Sequence, residues 1–540
     1  MTTLHDLTWL LPFFLYAETH YRFRYFFSFL RKREPEILAD APHRIEPGNT
    51  VPLLVLAKDA HQYPCTLRQI TVTISQDGAV RSTRQLLTRP LKLRDKWWWT
   101  VYPIAPGGLT GWIDINVEFE IETKDVRRLY RNDNYRTSSR RALSVFLSDT
   151  PLPRLPGLHL GDGHVHSSYT DDQVEYGAPP GASVLLSRAM GLSFFSVTDH
   201  SYDLDDTSDN YLQSDPLLLK WKSLHREVSL LNRRHRNLHT ILIGEEVSCR
   251  NVRGQNVHLL LYANRQFVHG SGDSAERWFH TRSVFSINEV LENLEGGTAV
   301  AAHPKERTPI LQQLLLRRGA WSRRDLQSDE LSGIQFLNGD YFDGFTRGQH
   351  AWTDLLMSGS RIHVLAGNDA HGNFNRFRQI GLPFFTISEH GRQIFGRMRT
   401  GLFLGSALDE SSVHSAIKKG NIIISDGPVA TIHASNVAGK TAFHGERLVG
   451  RKFTINITAK SSKEFGFLRR IRLHLGILGN QHETLLFGTR DINQPTFDQT
   501  LSFEIHQTAY VRLLVETSTD GSFDTHPHYC LTNPIWFEPE

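Results

Sequence analysis

Leu158-His159-Leu160-Gly161-Asp162-Gly163-His164-Val165-His166 is the stretch on which the reading of the fold turns: a short apolar run followed at once by one acid and two imidazoles. Such a run reads as a buried strand, which places His164 and His166 at its end. The same order recurs downstream. Leu192 to Val197 (LSFFSV) precedes Asp199-His200, Thr240 to Ile243 precedes Gly244-Glu245-Glu246, Thr298 to Ala302 precedes His303-Pro304, and Ile362 to Ala366 precedes Asn368-Asp369-Ala370-His371. His258, in Val257-His258-Leu259, is one more candidate. Imidazoles and carboxylates suit Zn, Mn or Fe, and one ion uses about three or four of them, so the set holds donors for about two or three ions.

Helix-like stretches separate these runs: Gly181 to Met190, Leu217 to Leu231, Ile287 to Leu294 and Leu311 to Arg317. Strand, ligand and helix in alternation read as an α/β barrel, in which separate strand ends deliver side chains into one pocket.

The string His164-Val-His166-Ser-Ser-Tyr-Thr-Asp171, followed in order by Thr198-Asp199-His200, Gly244-Glu-Glu246, His258, His303-Pro304 and Asp369-Ala370-His371, resembles the PHP (polymerase and histidinol phosphatase) superfamily. Over roughly residues 155 to 435 the resemblance implies a distorted (β/α)7 barrel with two to three divalent metal ions, Zn, Mn or Fe. The segment Ala416 to Pro428, with Ala509-Tyr510-Val-Arg512 and Thr532-Asn533-Pro534-Ile535-Trp536, looks like the CehA/McbA group of metallohydrolases.

The resemblance also implies roles. His164, His166 and Asp369 would hold one ion, Glu246 would bridge to a second held by His258 and His303, and Asp171, His200 and His371 would form a third position. A hydroxide shared by the ions would be the nucleophile, with His200, His371 and Asp369 as the catalytic groups and Asp162 and Asp199 orienting ligand imidazoles. Thr170-Asp171-Asp172 departs from the usual small residue-Asp-Gly pattern, which weakens the third position. The Gly-x-Glu pattern selects Glu246 over Glu245. His225, His235, His239, His269, His280, His350 and His363 lack strand-end settings and read as structural.

PHP proteins are most commonly phosphoesterases, so the first expectation is a metal-dependent phosphoesterase acting on a small-molecule ester. Lys305 and Arg307 after His303, and Arg376 and Arg378 after His371, are the cations expected to bind the phosphate. The rival within the class is carbamate or carboxylic ester hydrolysis, for which Tyr202, Tyr211, Tyr341 and Phe342 would line an aryl-binding mouth. Outside it stands a non-catalytic binding protein whose barrel is a relic.

Composition sets outer limits. A chain of 540 residues exceeds one core and points to about three domains. Net charge +3 is too mild for a nucleic-acid partner. The three cysteines, Cys65, Cys249 and Cys530, are too few and too scattered for a disulfide framework or a thiolate site. Alternating runs and turn signals make residues 41–152 an immunoglobulin-like β-sandwich. The proline-rich Pro151 to Pro156 leads into the barrel at 153–435, and 436–540 read as a C-terminal β-domain. The aromatic-rich segment 1–40 contains an apolar run, Leu7 to Ala17, interrupted by Pro12 and too short to span a bilayer. With no Lys or Arg ahead of it, it lacks the form of a signal peptide. The expectation is a cytoplasmic protein without a transmembrane span, with weak membrane-surface contact by residues 7–33 as the lesser alternative.

Overall fold

The computed structural model describes residues 34–134, 140–171, 176–208, 210–272, 281–308, 313–314, 316–341, 343–376, 379–381, 386–388 and 393–540. The segment 1–33, Phe342, Arg378, and much of the helix expected from Leu311 to Arg317 lie outside these residues. Among the described residues, no helix is long and apolar enough to cross a membrane.

Period-two alternation builds the N-terminal part. Gly111–Thr123 buries Ile113, Ile115, Val117, Phe119 and Ile121 on one face, and its antiparallel partner Cys65–Gln76 buries Leu67, Ile70, Val72 and Ile74 beside them. They belong to a seven-stranded sheet that faces a three-stranded sheet of Glu36–Asp40, Val51–Lys58 and Trp97–Ile104. Val51–Lys58 is buried along its whole length because both its faces are covered. Val51, Leu53, Val55 and Ala57 enter the sandwich core, whereas Leu54 and Leu56 enter the core shared with the central sheet. At about 1.5–3 kcal/mol per fully buried aliphatic side chain, that second face makes the sandwich an integral part of the molecule.

The central region departs from the expected distorted (β/α)7 barrel, and the fold class is corrected accordingly. Strands outnumber helices throughout the described residues. Leu158–His166, Phe194–Val197 and Thr240–Arg250 run parallel. Thr240–Arg250 then turns directly into antiparallel Asn256–Tyr262, with no helix between them, and that strand pairs antiparallel with Thr298–Ala302. Parallel pairing resumes through Leu331–Asn338 to His363–Gly367.

Edge occupancy is the physical reason. A strand has two hydrogen-bonding edges, and Leu158–His166 uses its second edge for antiparallel Arg399–Phe403. From there the sheet continues through Ile422–Ser425, Tyr529–Thr532 and Ala509–Thr517 to Leu468–Ile477, within one mixed sixteen-stranded sheet. Further along that same edge, among the described residues, the ladder returns to Leu158–His166 through the two-residue strand Ala370–His371, paired at Val165 and His166.

A four-stranded sheet of Thr441–Ala442, Val429–Asn436, Lys452–Lys460 and Thr496–Glu504 covers the far end of the large sheet. Ile432, Ala434, Ile455 and Ile457 pack there with Ile471, Leu473, Val511 and Leu513. Arg44 ties the N-terminal, central and C-terminal parts together. Fully buried, it donates to both carboxylate oxygens of Glu464, to Glu46 Oε1 at 2.9 Å and to the Met190 carbonyl at 3.2 Å.

The turn after Ile422–Ser425 is held by a second charged knot. His528 donates from Nδ1 to Asp426 Oδ2 at 2.7 Å, and its Nε2 lies 3.2 Å from Asp524. Burial opposes protonation, but the two carboxylates push the imidazole up to about 9. A histidine raised in the folded state contributes stability that is complete below the unfolded value near 6.5 and lost as pH rises through about 9. At 1.36 kcal/mol per pH decade the contribution is on the order of 3 kcal/mol. His528→Gln is therefore expected to destabilise the fold at pH 6 and to make little difference at pH 10, measured by urea unfolding at both. An equal deficit at both pH values would show that the imidazole is not protonated in the folded protein.

Candidate metal centre

Strand alternation selects the inward side chains. Asp162, His164 and His166 occupy alternate positions on Leu158–His166, and all are buried. Gly163 and Gly367 permit the close approach of this strand to His363–Gly367: a Cβ on Gly367 would come 2.5 Å from the His164 Cβ, and one on Gly163 would come 2.4 Å from the Ala366 carbonyl oxygen. On Thr240–Arg250 the neighbours Glu245 and Glu246 face opposite ways. Glu245 accepts from the Val268 amide at 3.4 Å, and burial raises its carboxyl well above the usual range. Glu246 points into the cluster.

Glu246 is the hub. Its Oε1 lies 2.6 Å from His258 Nδ1 and 3.3 Å from His303 Nε2. Its Oε2 lies 3.1 Å from His200 Nδ1, 3.3 Å from His166 Nε2 and 3.5 Å from His164 Nε2. Asp369 Oδ1 faces His166 at 3.0 Å and His164 at 3.5 Å. Among the described residues three donor groups result, His164/His166/Glu246/Asp369, Glu246/His258/His303 and His166/His200/His371, each with its ligand atoms within 4.8 Å of one another.

Most of the donors are buried. His303 and Asp369 are the more open members, with side chains 12% and 14% exposed, and they mark the side from which a substrate would enter. Both follow a strand in left-handed backbone, φ 28° at His303 and 51° at Asp369. Non-glycine residues adopt that region at a cost when their surroundings over-determine it.

Neighbours fix the ring orientations. His164 Nδ1 faces Gln335 Oε1 at 3.1 Å, His166 Nδ1 faces Thr170 Oγ1 at 3.3 Å, and His371 Nδ1 faces the Asp369 carbonyl at 3.1 Å. With the proton on Nδ1, each ring turns Nε2 toward the centre. Gln393 donates to Asp369 Oδ2 at 2.8 Å and leaves Oδ1 for the cluster. His200 stacks on Tyr202 at 4.7 Å. Asn533 accepts from the Val364 amide at 2.8 Å, so the C-terminal Thr532-Asn533-Pro534 segment braces the strand that leads to Asp369.

The charges call for cations. Burial opposes ionisation of Glu246, yet His258 and His164 hold its carboxyl well below the usual range; Asp369 is held down in the same way by His164 and His166. Burial also opposes a proton on His166, but Asp369 and Glu246 push that imidazole up to about 10. His200 is lowered by burial and by neighbouring His166. His164 Nε2, His200 Nδ1 and Glu246 Oε2 are buried and make no hydrogen bond, and all three face the centre. Divalent ions would satisfy these atoms and displace the proton on His166, so the residues fit the group.

Several expected roles fall elsewhere. Asp171 is in none of the donor groups; it pairs with Lys58 at 2.8 Å and Lys96 at 2.7 Å, both from the N-terminal sandwich. Burial disfavours its charge, but the two ammoniums hold its carboxyl far below the usual range. The third group is thus three histidines. Asp162 accepts from the His164 amide at 3.2 Å, Asn368 Nδ2 at 2.7 Å and the Gly396 amide at 2.8 Å, so it holds backbone and the Asn368 side chain and not an imidazole. Asp199 reaches His166 only through Thr170 Oγ1, at 2.9 Å.

Two of the cations expected to bind phosphate are engaged elsewhere. Arg376 lies 3.6 Å from Asp40 and over the Tyr176 ring, and Lys305 donates to the Trp321 carbonyl at 2.6 Å. Arg307 is exposed. Tyr202 is buried behind His200, and Tyr341 donates to Asp426 at 2.9 Å. Sequence reasoning missed Gln335, Gln393 and Thr170. Thr170, four residues after His166, was the one with a local signal, since the other two come from distant segments.

No protein family profile matches this chain, and no curated protein does. Among solved structures, the β-glucuronidase of Bacteroides uniformis aligns at 10% identity over 93% of this chain and 61% of its own, with a TM-score of 0.18. The β-glucuronidase of Parabacteroides merdae aligns at 10% identity over 93% and 64%, also at 0.18. A glycosyl hydrolase family 2 member from Bacteroides cellulosilyticus gives 10%, 93%, 63% and 0.16. The chain thus spans less than two thirds of each, and scores this low establish no shared fold.

Proposed function

We propose that this chain is a metal-dependent hydrolase of the PHP type, nearest to the CehA/McbA group, acting on phosphoesters. One observation carries the reading: the two oxygens of Glu246 face two different sets of imidazoles, His258 and His303 on one side and His164, His166 and His200 on the other. A carboxylate so placed suits a pair of ions. When bound, two or three divalent ions of Zn, Mn or Fe would supply Lewis acidity and acidify a water. The chain's own part is to hold that charge in a buried pocket, open at His303 and Asp369, with His200 and His371 placed to ligate or to move protons. Convergence of so many donors speaks against a purely binding role.

A carbamate or carboxylic ester substrate is the second reading. It is favoured by the engagement of Arg376 and Lys305 away from the cluster, because a neutral ester needs no cation beyond the metals. Two measurements on the purified full chain test the proposal. Elemental analysis should return about two to three equivalents of Zn, Mn or Fe; about half an equivalent or less would sink it. Metal-loaded protein should then turn over phosphomonoesters faster than 1-naphthyl esters or carbamates. The reverse order would replace the phosphoester reading with the carbamate or ester one.

A further inference from the structure

We propose that the N-terminal β-sandwich is a working part of the metal centre: Lys58 and Lys96 grip Asp171 and thereby position His166, which, like Glu246, belongs to two of the three donor groups. The inference rests on the metal-centre reading above. Lys58 ends Val51–Lys58 and pairs with Trp97, and Lys96 immediately precedes Trp97–Ile104, so both ammoniums leave the same end of one antiparallel pair. Each takes one oxygen of Asp171, Lys58 Nζ to Oδ1 at 2.8 Å and Lys96 Nζ to Oδ2 at 2.7 Å. The Lys58 and Asp171 side chains are 3% and 6% exposed, so this contact is shielded from solvent screening.

Asp171 is the last residue of a tight turn that begins beside His166. Within it, the Thr170 amide donates to the Ser167 carbonyl at 3.1 Å, and Asp199 accepts from the Ser167 amide and hydroxyl, each at 2.6 Å. Thr170 Oγ1 then meets His166 Nδ1. Besides backbone bonds to Gly177 and Ala178 and the Tyr169–Glu227 hydrogen bond, the turn is therefore held by Asp199 from the central sheet and, at its Asp171 end, by the lysine pair from the sandwich. Removing the lysines leaves a buried, unpaired carboxylate whose solvation requires the turn to open. Lys58, Lys96 and Asp171 are positioning residues: they act through Thr170 on His166.

The test uses the full chain and the variants Lys96→Met, Asp171→Asn and Lys96→Arg. Lys96 is partly exposed and tolerates truncation better than Lys58. Zn2+ affinity is measured by chelator competition, and hydrogen exchange of residues 164–171 is measured on metal-free protein. Lys96→Met and Asp171→Asn are expected to weaken Zn2+ binding about tenfold or more, to speed exchange in that segment and to lower kcat with little change in KM. Lys96→Arg should restore all three. Folded Lys96→Met and Asp171→Asn proteins with wild-type exchange and wild-type Zn2+ affinity overturn the proposal. A wild type that binds no Zn2+ refutes the metal-centre reading instead, and the exchange measurement then still decides whether the lysine pair holds the turn.

Discussion

Glu246→Gln is expected to strip the centre of its ions and to lower kcat/KM by more than about 10²-fold. Both oxygens of Glu246 are committed, one to His258 and His303 and the other to His164, His166 and His200, so one substitution removes an anionic ligand from two positions at once. The amide keeps the shape but replaces one acceptor with an NH2 donor that faces imidazole nitrogens in a fully buried site. The surrounding β-structure should stay folded, because the amide has nearly the volume of the carboxylate and the substitution leaves every residue of the three hydrophobic cores in place. Metal content and far-UV circular dichroism of the same preparation check both halves. Full metal occupancy with full activity would remove Glu246 from the centre.

His371→Asn should lower kcat by about 10²–10⁴-fold, the range of a positioned proton-transfer group. His371 stacks on His166 with ring centroids 4.0 Å apart and belongs to the all-histidine group with His200. Its Nδ1 is fixed on the Asp369 carbonyl, so its Nε2 faces the reacting side. Metal counting separates the two roles open to it: a lost equivalent marks a ligand, whereas full occupancy with an altered pH–rate profile marks a proton carrier. Full occupancy, wild-type turnover and an unchanged profile together would place His371 outside the reaction.

Most of the donors that meet at Glu246 were legible because they carry a local signature, a short apolar run ending in His, Asp or Glu; His258, which precedes its apolar run, is the exception. Alternation then decides which of two neighbours turns inward, as at Glu245 and Glu246. Asp171 shows where that logic stops. Its place in the string after His166 suggests a ligand, but the electrostatic partners that claim it, Lys58 and Lys96, lie more than seventy residues upstream. Arg376 and Lys305 repeat the lesson, since a cation near a ligand in sequence goes to the nearest buried acceptor in space, Asp40 or the Trp321 carbonyl.

The sequence by itself determined the residue types, their order, and the strand ends on which they sit, because those follow from side-chain chemistry and two-residue periodicity. Only the tertiary structure decided the topology. Which strand takes the second edge of Leu158–His166 is a competition between distant segments for one row of hydrogen-bonding groups, and Arg399–Phe403 takes Leu158 to Gly161, leaving Val165 and His166 to Ala370–His371. That long-range pairing leaves a mixed sheet in place of the (β/α)7 barrel, and neither propensity nor periodicity along the chain encodes it.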